Sequence, residues 1–297
     1  MIGRDGGRTA RSAILALAIL AGALSSCAPS RGLILTDPAL MVLDPEGAKA
    51  YSSFRAAGTR WTAREYPARD SDAFFGEFAA LPPAFVLLTP LLTPEYSAVR
   101  NAFPEALILG TGIPAGERSV SATWDQVPAA REAGVRAGVF LRDRGEGLPE
   151  PPEAVILIAG GSGGGGPAAG AFLEGLVSAR PDTPARILEL PVQAGDADAL
   201  VRGLGGPGAK AVFLDIGAGG FRAARLLAEP PAPAGAAPGP RFTILRSALP
   251  PQEDVPADIL LLRDVRTLLR AFRGALNEGR TGSIPARETI DPRSGGR

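Results

Sequence analysis

The chain has no histidine, a single cysteine, and lysine only at positions 49 and 210. Without histidine it lacks the usual general base, the commonest transition-metal ligand and the side chain that titrates near neutral pH. Catalysis by carboxylates, lysine or serine stays open, but no G-x-S-x-G nucleophile motif is present, so an enzyme is not expected and a carboxylate-dependent hydrolase is the weakest reading. One cysteine allows no intrachain disulfide. An excess of either charge is also missing: 31 basic residues balance 31 acidic ones, leaving no basic field to hold nucleic acid. Aromatic residues make up 6 %, yet hydrophobic residues reach 45 %, enough for a packed core and too many for a disordered spacer.

What is present begins with an address. Arg4, Arg8 and Arg11 precede an uncharged apolar run from Ala13 to Leu24, a signal-peptide arrangement too short to span a bilayer comfortably. The run ends in Leu24-Ser25-Ser26-Cys27, which resembles the lipobox of bacterial lipoproteins. That resemblance implies cleavage after residue 26, lipidation of Cys27 and a cell-envelope location facing the periplasm or exterior. Ala28 after the cysteine, rather than Asp, leans away from inner-membrane retention. Losing three Arg and one Asp with the leader leaves 28 basic against 30 acidic residues, a net charge of −2.

Beyond the leader, apolar β-rich runs alternate with helical patterns. Strands are expected at 32–36, 61–66, 84–89, 106–109, 154–159, 187–190, 211–214, 242–245 and 259–262. Helices are expected at 45–57, 71–80, from 93, at 124–141 (one or two, joined around Gly134), 167–179, 196–204, 221–228 and 263–278. Such alternation argues for parallel sheets built from right-handed βαβ units. The expected fold class is therefore α/β with two Rossmann-like domains joined by a hinge. The expected boundaries are a leader 1–26, an N-terminal domain 27–143, a hinge 144–153, a C-terminal domain 154–262, a helix 263–279 returning to the first domain, and a frayed tail 280–297. The Pro- and Gly-rich stretch 230–240 reads as an exposed loop.

Ligands of open parallel sheets sit beyond the carboxyl ends of the strands. The residues there are Thr36-Asp37, Thr89, Thr111, Gly160-Gly161-Ser162, Gln193, Asp215 and Arg246-Ser247. Asp37 and Asp215 follow strands in different halves and are placed to grip ligand hydroxyls from opposite walls of a cleft. Trp124, beside Asp125, is a stacking platform, whereas Trp61 within a strand belongs in the core. The glycine run 160–166 lacks the Lys-Ser/Thr pair of a P-loop and meets G-x-G-x-x-G only trivially, so it suits a close backbone approach to the cleft better than a dinucleotide. Asp70 and Asp72 do not have calcium-loop spacing.

A lipobox followed by two α/β halves resembles the type I periplasmic solute-binding proteins, particularly the nucleoside-binding basic-membrane-protein lipoproteins. Leu33-Ile34-Leu35-Thr36-Asp37 is similar to that family's first strand, 98–109 to its helix-Pro-strand passage, 170–176 to the first helix of its second domain, and 211–227 to the unit carrying a ligand aspartate, here Asp215. The sequence departs from the family at Ala168, where an arginine is common, at Ala171-Phe172, and at Leu245-Arg246-Ser247 in place of Gly-Phe-Asp. The resemblance implies capture of a small polar solute, of nucleoside or sugar class, for an ABC-type permease, with no cofactor. The expected ligand residues are Thr36, Asp37, Trp124, Ser162, Asp215 and Arg246. The alternative is a ligand-free lipoprotein of the same fold serving as an envelope protein-interaction module.

Overall fold

The computed structural model describes residues 29–291, except 57, 68, 149, 160–165, 192–193, 205, 207, 218, 230–238 and 249–253. Cys27 and Ser162 lie outside the described residues, as do most of the glycine run and the loop 230–238.

The N-terminal half contributes β1 (Ser30–Thr36), α1 (Pro38–Leu43), α2 (Pro45–Ser52), β2 (Thr59–Glu65), α3 (Ser71–Gly76), β3 (Phe85–Leu88), a 3-10 helix (Pro90–Glu95), α4 (Tyr96–Ala102), β4 (Leu107–Thr111) and β5 (Ser119–Asp125). The C-terminal half contributes α5 (Val127–Gly145), β6 (Glu153–Ala159), α6 (Pro167–Ala179), β7 (Ala185–Leu190), α7 (Ala194–Gly203), β8 (Lys210–Asp215), α8 (Gly219–Ala228), β9 (Arg241–Ser247) and β10 (Ile259–Leu262). Then come α9 (Val265–Asn277), β11 (Gly282–Arg287) and β12 (Thr289–Ile290).

Two six-stranded sheets result, ordered β11-β5-β4-β3-β1-β2 and β12-β10-β9-β8-β6-β7. Every pairing is parallel except β10 with β12. Both faces of each sheet are covered, which is why the inner strands read as unbroken apolar runs. In β1, Ile34 faces one core cluster while Leu33 and Leu35 face the other. In β6, Ala154, Ile156 and Ile158 face one cluster, and Val155 and Leu157 its opposite. Gly32 is required by the ring beside it: a Cβ there would sit 2.4 Å from Trp61 Cδ2. The α9 helix lays Leu268, Leu269 and Phe272 on the first sheet and is capped by Asp264, whose Oδ1 accepts from the Arg266 amide at 3.0 Å.

The chain changes sheets three times: from β5 into α5, from β10 into α9, and from β11 into β12. The first passage corrects the expected hinge at 144–153. Helix α5 packs on the second sheet, not the first, because its stripe of Ala129, Ala130, Ala133, Gly134, Ala137 and Gly138 matches an equally small stripe on α6. The two helices approach until a Cβ on Gly134 would lie 2.0 Å from the Phe172 carbonyl oxygen, and one on Gly175 would lie 2.0 Å from that of Arg131. The chain therefore crosses at Asp125–Val127, and 144–153 is a link within the second domain.

The expected frayed tail is also corrected. Residues 282–287 and 289–290 pair as strands on the outer edges of the two sheets, with Ile284 and Ala286 buried. Pro285 is compatible with this because an edge strand leaves one side of its ladder unpaired. Strand β5 was expected to open a helix at Trp124. Instead Val120, Ala122 and Trp124 alternate inward along a strand.

Valine at Gly134 or Gly175 is expected to force α5 and α6 apart and to cost at least the ~1–3 kcal/mol typical of overpacking. Gly170 lies on α6 with nothing within 4 Å of a built Cβ. Gly170→Ala is expected to add roughly 0.8–1 kcal/mol of stability instead. Urea unfolding midpoints of the three variants check both signs.

Candidate functional site

Near the strand carboxyl ends a cavity of about 580 Å³ opens at the mouth between the two sheets. Its first-domain wall holds Leu40, Asp44, Tyr51, Thr111 and Trp124, and Ala248 and Arg263 close it from the second. Gln126 and Arg263 also border it, so two of the three inter-sheet passages run along its edge. A volume of this size suits one small ligand.

Each wall residue has a local reason for its place. Asp44-Pro45 starts α2: the Asp44 side chain accepts from the Gly47 amide at 2.8 Å, and proline takes the first helical position. Asp44 is consequently buried, at 4 % exposure, beside the cavity. One face of α2 brings Tyr51 under the same wall. Its hydroxyl is buried with no hydrogen-bond partner among the described residues, and burial, reinforced by the Asp44 charge, pushes its pKa upward. Thr111 ends β4, and its carbonyl accepts from Thr93 Oγ1 at 2.8 Å, tying the 3-10 helix to the cavity rim. Trp124 ends the buried face of β5 and stays half-buried. The wall is mostly apolar, carrying one carboxylate, one guanidinium and a few neutral polar groups.

The expected ligand residues divide into groups. Trp124 lines the cavity. Thr36 and Asp37 serve local structure: Thr36 Oγ1 donates to the Arg64 carbonyl at 3.3 Å, and Asp37 caps α1 by accepting from the Ala39 amide at 2.7 Å. Asp215 and Arg246 are brought together, but onto each other, with Nη1 to Oδ1 at 2.8 Å. Ser162 lies outside the described residues.

Arg246 belongs to a larger ionic cluster whose centre is Glu288, between β11 and β12. Glu288 accepts from Arg246 through both oxygens, at 2.9 and 2.6 Å, and lies 3.4 Å from Arg263 Nε. Its side chain is fully buried, and its backbone amide donates to the Asp125 carbonyl at 3.1 Å. Burial works against the Arg246 charge, but Glu288 and Asp215 outweigh it and hold its pKa above the ordinary arginine value. The cluster joins all three passages: Asp125 at the first, Arg263 at the second and Glu288 at the third. Two carboxylates face two guanidiniums, so the buried charge is balanced.

Sequence reasoning overlooked Asp44, Tyr51, Gln126, Arg263 and Glu288. Asp44 carried a readable signal, since Asp-Pro before an apolar-periodic run is a helix start. Glu288 carried none, because nothing local marks a charge near a chain end as buried.

Removing one partner of a buried pair leaves the others uncompensated. Glu288→Ala is expected to lower unfolding free energy by about 3–5 kcal/mol. Glu132→Ala removes an exposed partner of Arg136, the two side chains being 54 % and 46 % exposed, and is expected to change it by less than ~0.5 kcal/mol. Denaturant titration of both variants checks the contrast.

No protein-family model matches the chain, and no curated protein matches it in sequence. Solved structures do match its fold. A transcriptional activator of the comK gene from Bacillus halodurans aligns with a TM-score of 0.55 at 12 % identity, over 88 % of this chain and 89 % of that one. An ABC transporter solute-binding protein from Aeropyrum pernix K1 aligns with a TM-score of 0.52 at 14 % identity, over 89 % and 76 %. A mutant XylFII–LytSN complex gives a TM-score of 0.50 at 12 % identity, over 89 % and 98 %. At these identities the likeness is one of architecture: the chain has the two-domain α/β fold of the type I periplasmic solute-binding proteins.

Proposed function

We propose that the chain is a lipid-anchored, extracytoplasmic solute-binding protein, not an enzyme, that closes around one small polar ligand and presents it to an ABC-type permease. The supporting observation is the cavity of about 580 Å³ at the mouth between two sheets, walled from both domains and bordered by the passages about which they would close. Closure lets both walls contact the ligand, so affinity follows the population of the closed form. A nucleoside or sugar suits the wall: Trp124 offers a stacking face, and Asp44, Thr111 and Arg263 offer acceptor and donor groups. The sequence motif ending in Cys27 supports anchoring.

A second reading, an envelope interaction module that has lost its ligand, is favoured by one observation. Met41 is 59 % exposed and Val42 72 % exposed on α1, leaving an apolar lip beside the cavity.

A thermal-shift screen with nucleosides, sugars and amino acids separates the two readings. A ligand at a hundred times its Kd is expected to add about 2.7 kcal/mol. Trp124→Ala is expected to weaken that ligand tenfold or more in a fluorescence or calorimetric titration. Silence across the panel from a folded chain favours the interaction module. For the anchor, mass spectrometry of the membrane form is expected to find an acylated Cys27, and Cys27→Ser is expected to release the chain into the soluble fraction.

A further inference from the structure

Exposed arginines gather at the edge of the first domain where its parallel strands begin. At the carboxyl ends, beside the cavity, the charges are mixed: Asp37, Asp44, Glu65 and Asp70 lie with Arg64, Arg69 and Arg287. At the opposite edge, where the parallel strands begin, six arginines are exposed: Arg31 and Arg60 on β1 and β2, Arg55 after α2, Arg118 before β5, Arg273 near the end of α9, and Arg280 before β11. Among the described residues, Glu105, Glu117 and Glu278 accompany them there, two of these already paired with Arg118 and Arg280.

The centre of this edge is unusual. Arg31 and Arg60 are register partners on adjacent strands, so two like charges stand directly opposite each other. Neither makes an ion pair or a side-chain hydrogen bond among the described residues. Together with Phe78, Leu81 and Pro83 they line a groove of about 290 Å³, in which Leu81 is 58 % exposed. Two unneutralised guanidiniums beside an exposed leucine match the chemistry of an anionic headgroup with the start of an acyl chain below it.

Covalent reach makes a membrane the occupant. Only residues 28–30 separate Cys27 from Arg31, a span of at most roughly 14 Å when fully extended. A lipid on Cys27 therefore holds this edge within a Debye length or two of the headgroups, about 8–10 Å each at ordinary salt.

We propose that the strand-start edge of the first domain, centred on the Arg31–Arg60 groove, docks on anionic phospholipid headgroups. That a lipid on Cys27 brings this edge to the bilayer rests on the anchored reading; the docking chemistry does not. A polybasic edge supplies the second signal that a lipid anchor needs for stable attachment, in a chain whose net charge would otherwise repel an anionic surface.

The test uses the mature chain carrying Cys27→Ser, without lipid, in cosedimentation with vesicles. One set is phosphatidylcholine and the other an equal mixture of phosphatidylcholine and phosphatidylglycerol. Binding is expected only to the mixture, and to disappear at about 1 M salt, where the Debye length is ~3 Å. Arg31→Gln/Arg60→Gln is expected to lower partitioning about tenfold or more. Arg118→Gln/Arg273→Gln is expected to act in the same direction, so the edge stays testable if the first pair perturbs folding. Arg202→Gln/Arg222→Gln, the same charge change on the second domain, is expected to leave partitioning unchanged. Equal binding to both vesicle types, or equal losses from edge and second-domain pairs, overturns the proposal. Because no lipid is attached in this test, its failure is distinct from failure to find an acylated Cys27.

Discussion

Glu288 is the contact on which the arrangement of the two domains depends. A carboxylate with no exposed surface takes two hydrogen bonds from Arg246 and faces Arg263, while its own amide is bound to Asp125. Asp125, Arg263 and Glu288 each stand at a point where the chain passes between sheets. A buried carboxylate without such partners would be expelled or protonated, so the cluster is self-enforcing: the passages must lie together for the charge to be tolerated. This gives the two-domain fold a fixed seam, and the cavity opens along that seam.

The same residues connect the seam to the cavity. Arg263 lines the cavity and also faces Glu288, so a ligand group held by Arg263 is one side chain from the junction of the passages. The position of Trp124 follows from β5, whose far side is paired with β11, the strand that leads to Glu288. Cavity wall and inter-sheet junction are thus built from one short set of residues. Asp215 and Arg246 are turned onto each other beside Glu288, whereas Asp44, Trp124 and Arg263 line the cavity.

Much of this architecture was legible in the sequence, because buried parallel strands such as Leu33–Leu35 and Val155–Ile158 announce themselves as apolar runs. Helix α6 and strand β10 have the bounds their patterns predict. The failures share a cause, in that local pattern is silent about distant partners. Strand β5 does alternate Val120, Ala122 and Trp124 with Ser121 and Thr123, but Ser119, Ser121 and Ala122 weaken that pattern against the helical one that follows. The Ala and Gly positions of α5 show a helix but not which sheet it joins, which its fit to Gly175 of α6 decides. Strand β11 contains a proline, and its edge position makes that harmless. The carboxyl-end rule pointed to the end of the sheets where the cavity lies, with Thr111 on its wall, and Trp124, singled out separately as a stacking platform, lines the same cavity. It could not foresee that Asp215 and Arg246 would neutralise each other, since that pairing follows from the register of β8 on β9, which sets Leu214 beside Leu245.

The central claim is that the cavity between the domains holds a solute. Native mass spectrometry of the chain, purified from its own envelope without denaturation, tests this most directly. One small polar molecule per chain, of sugar or nucleoside mass and released on unfolding, is the expected result. A chain that arrives at its bare mass, and stays there after incubation with a whole small-molecule extract, would contradict the account.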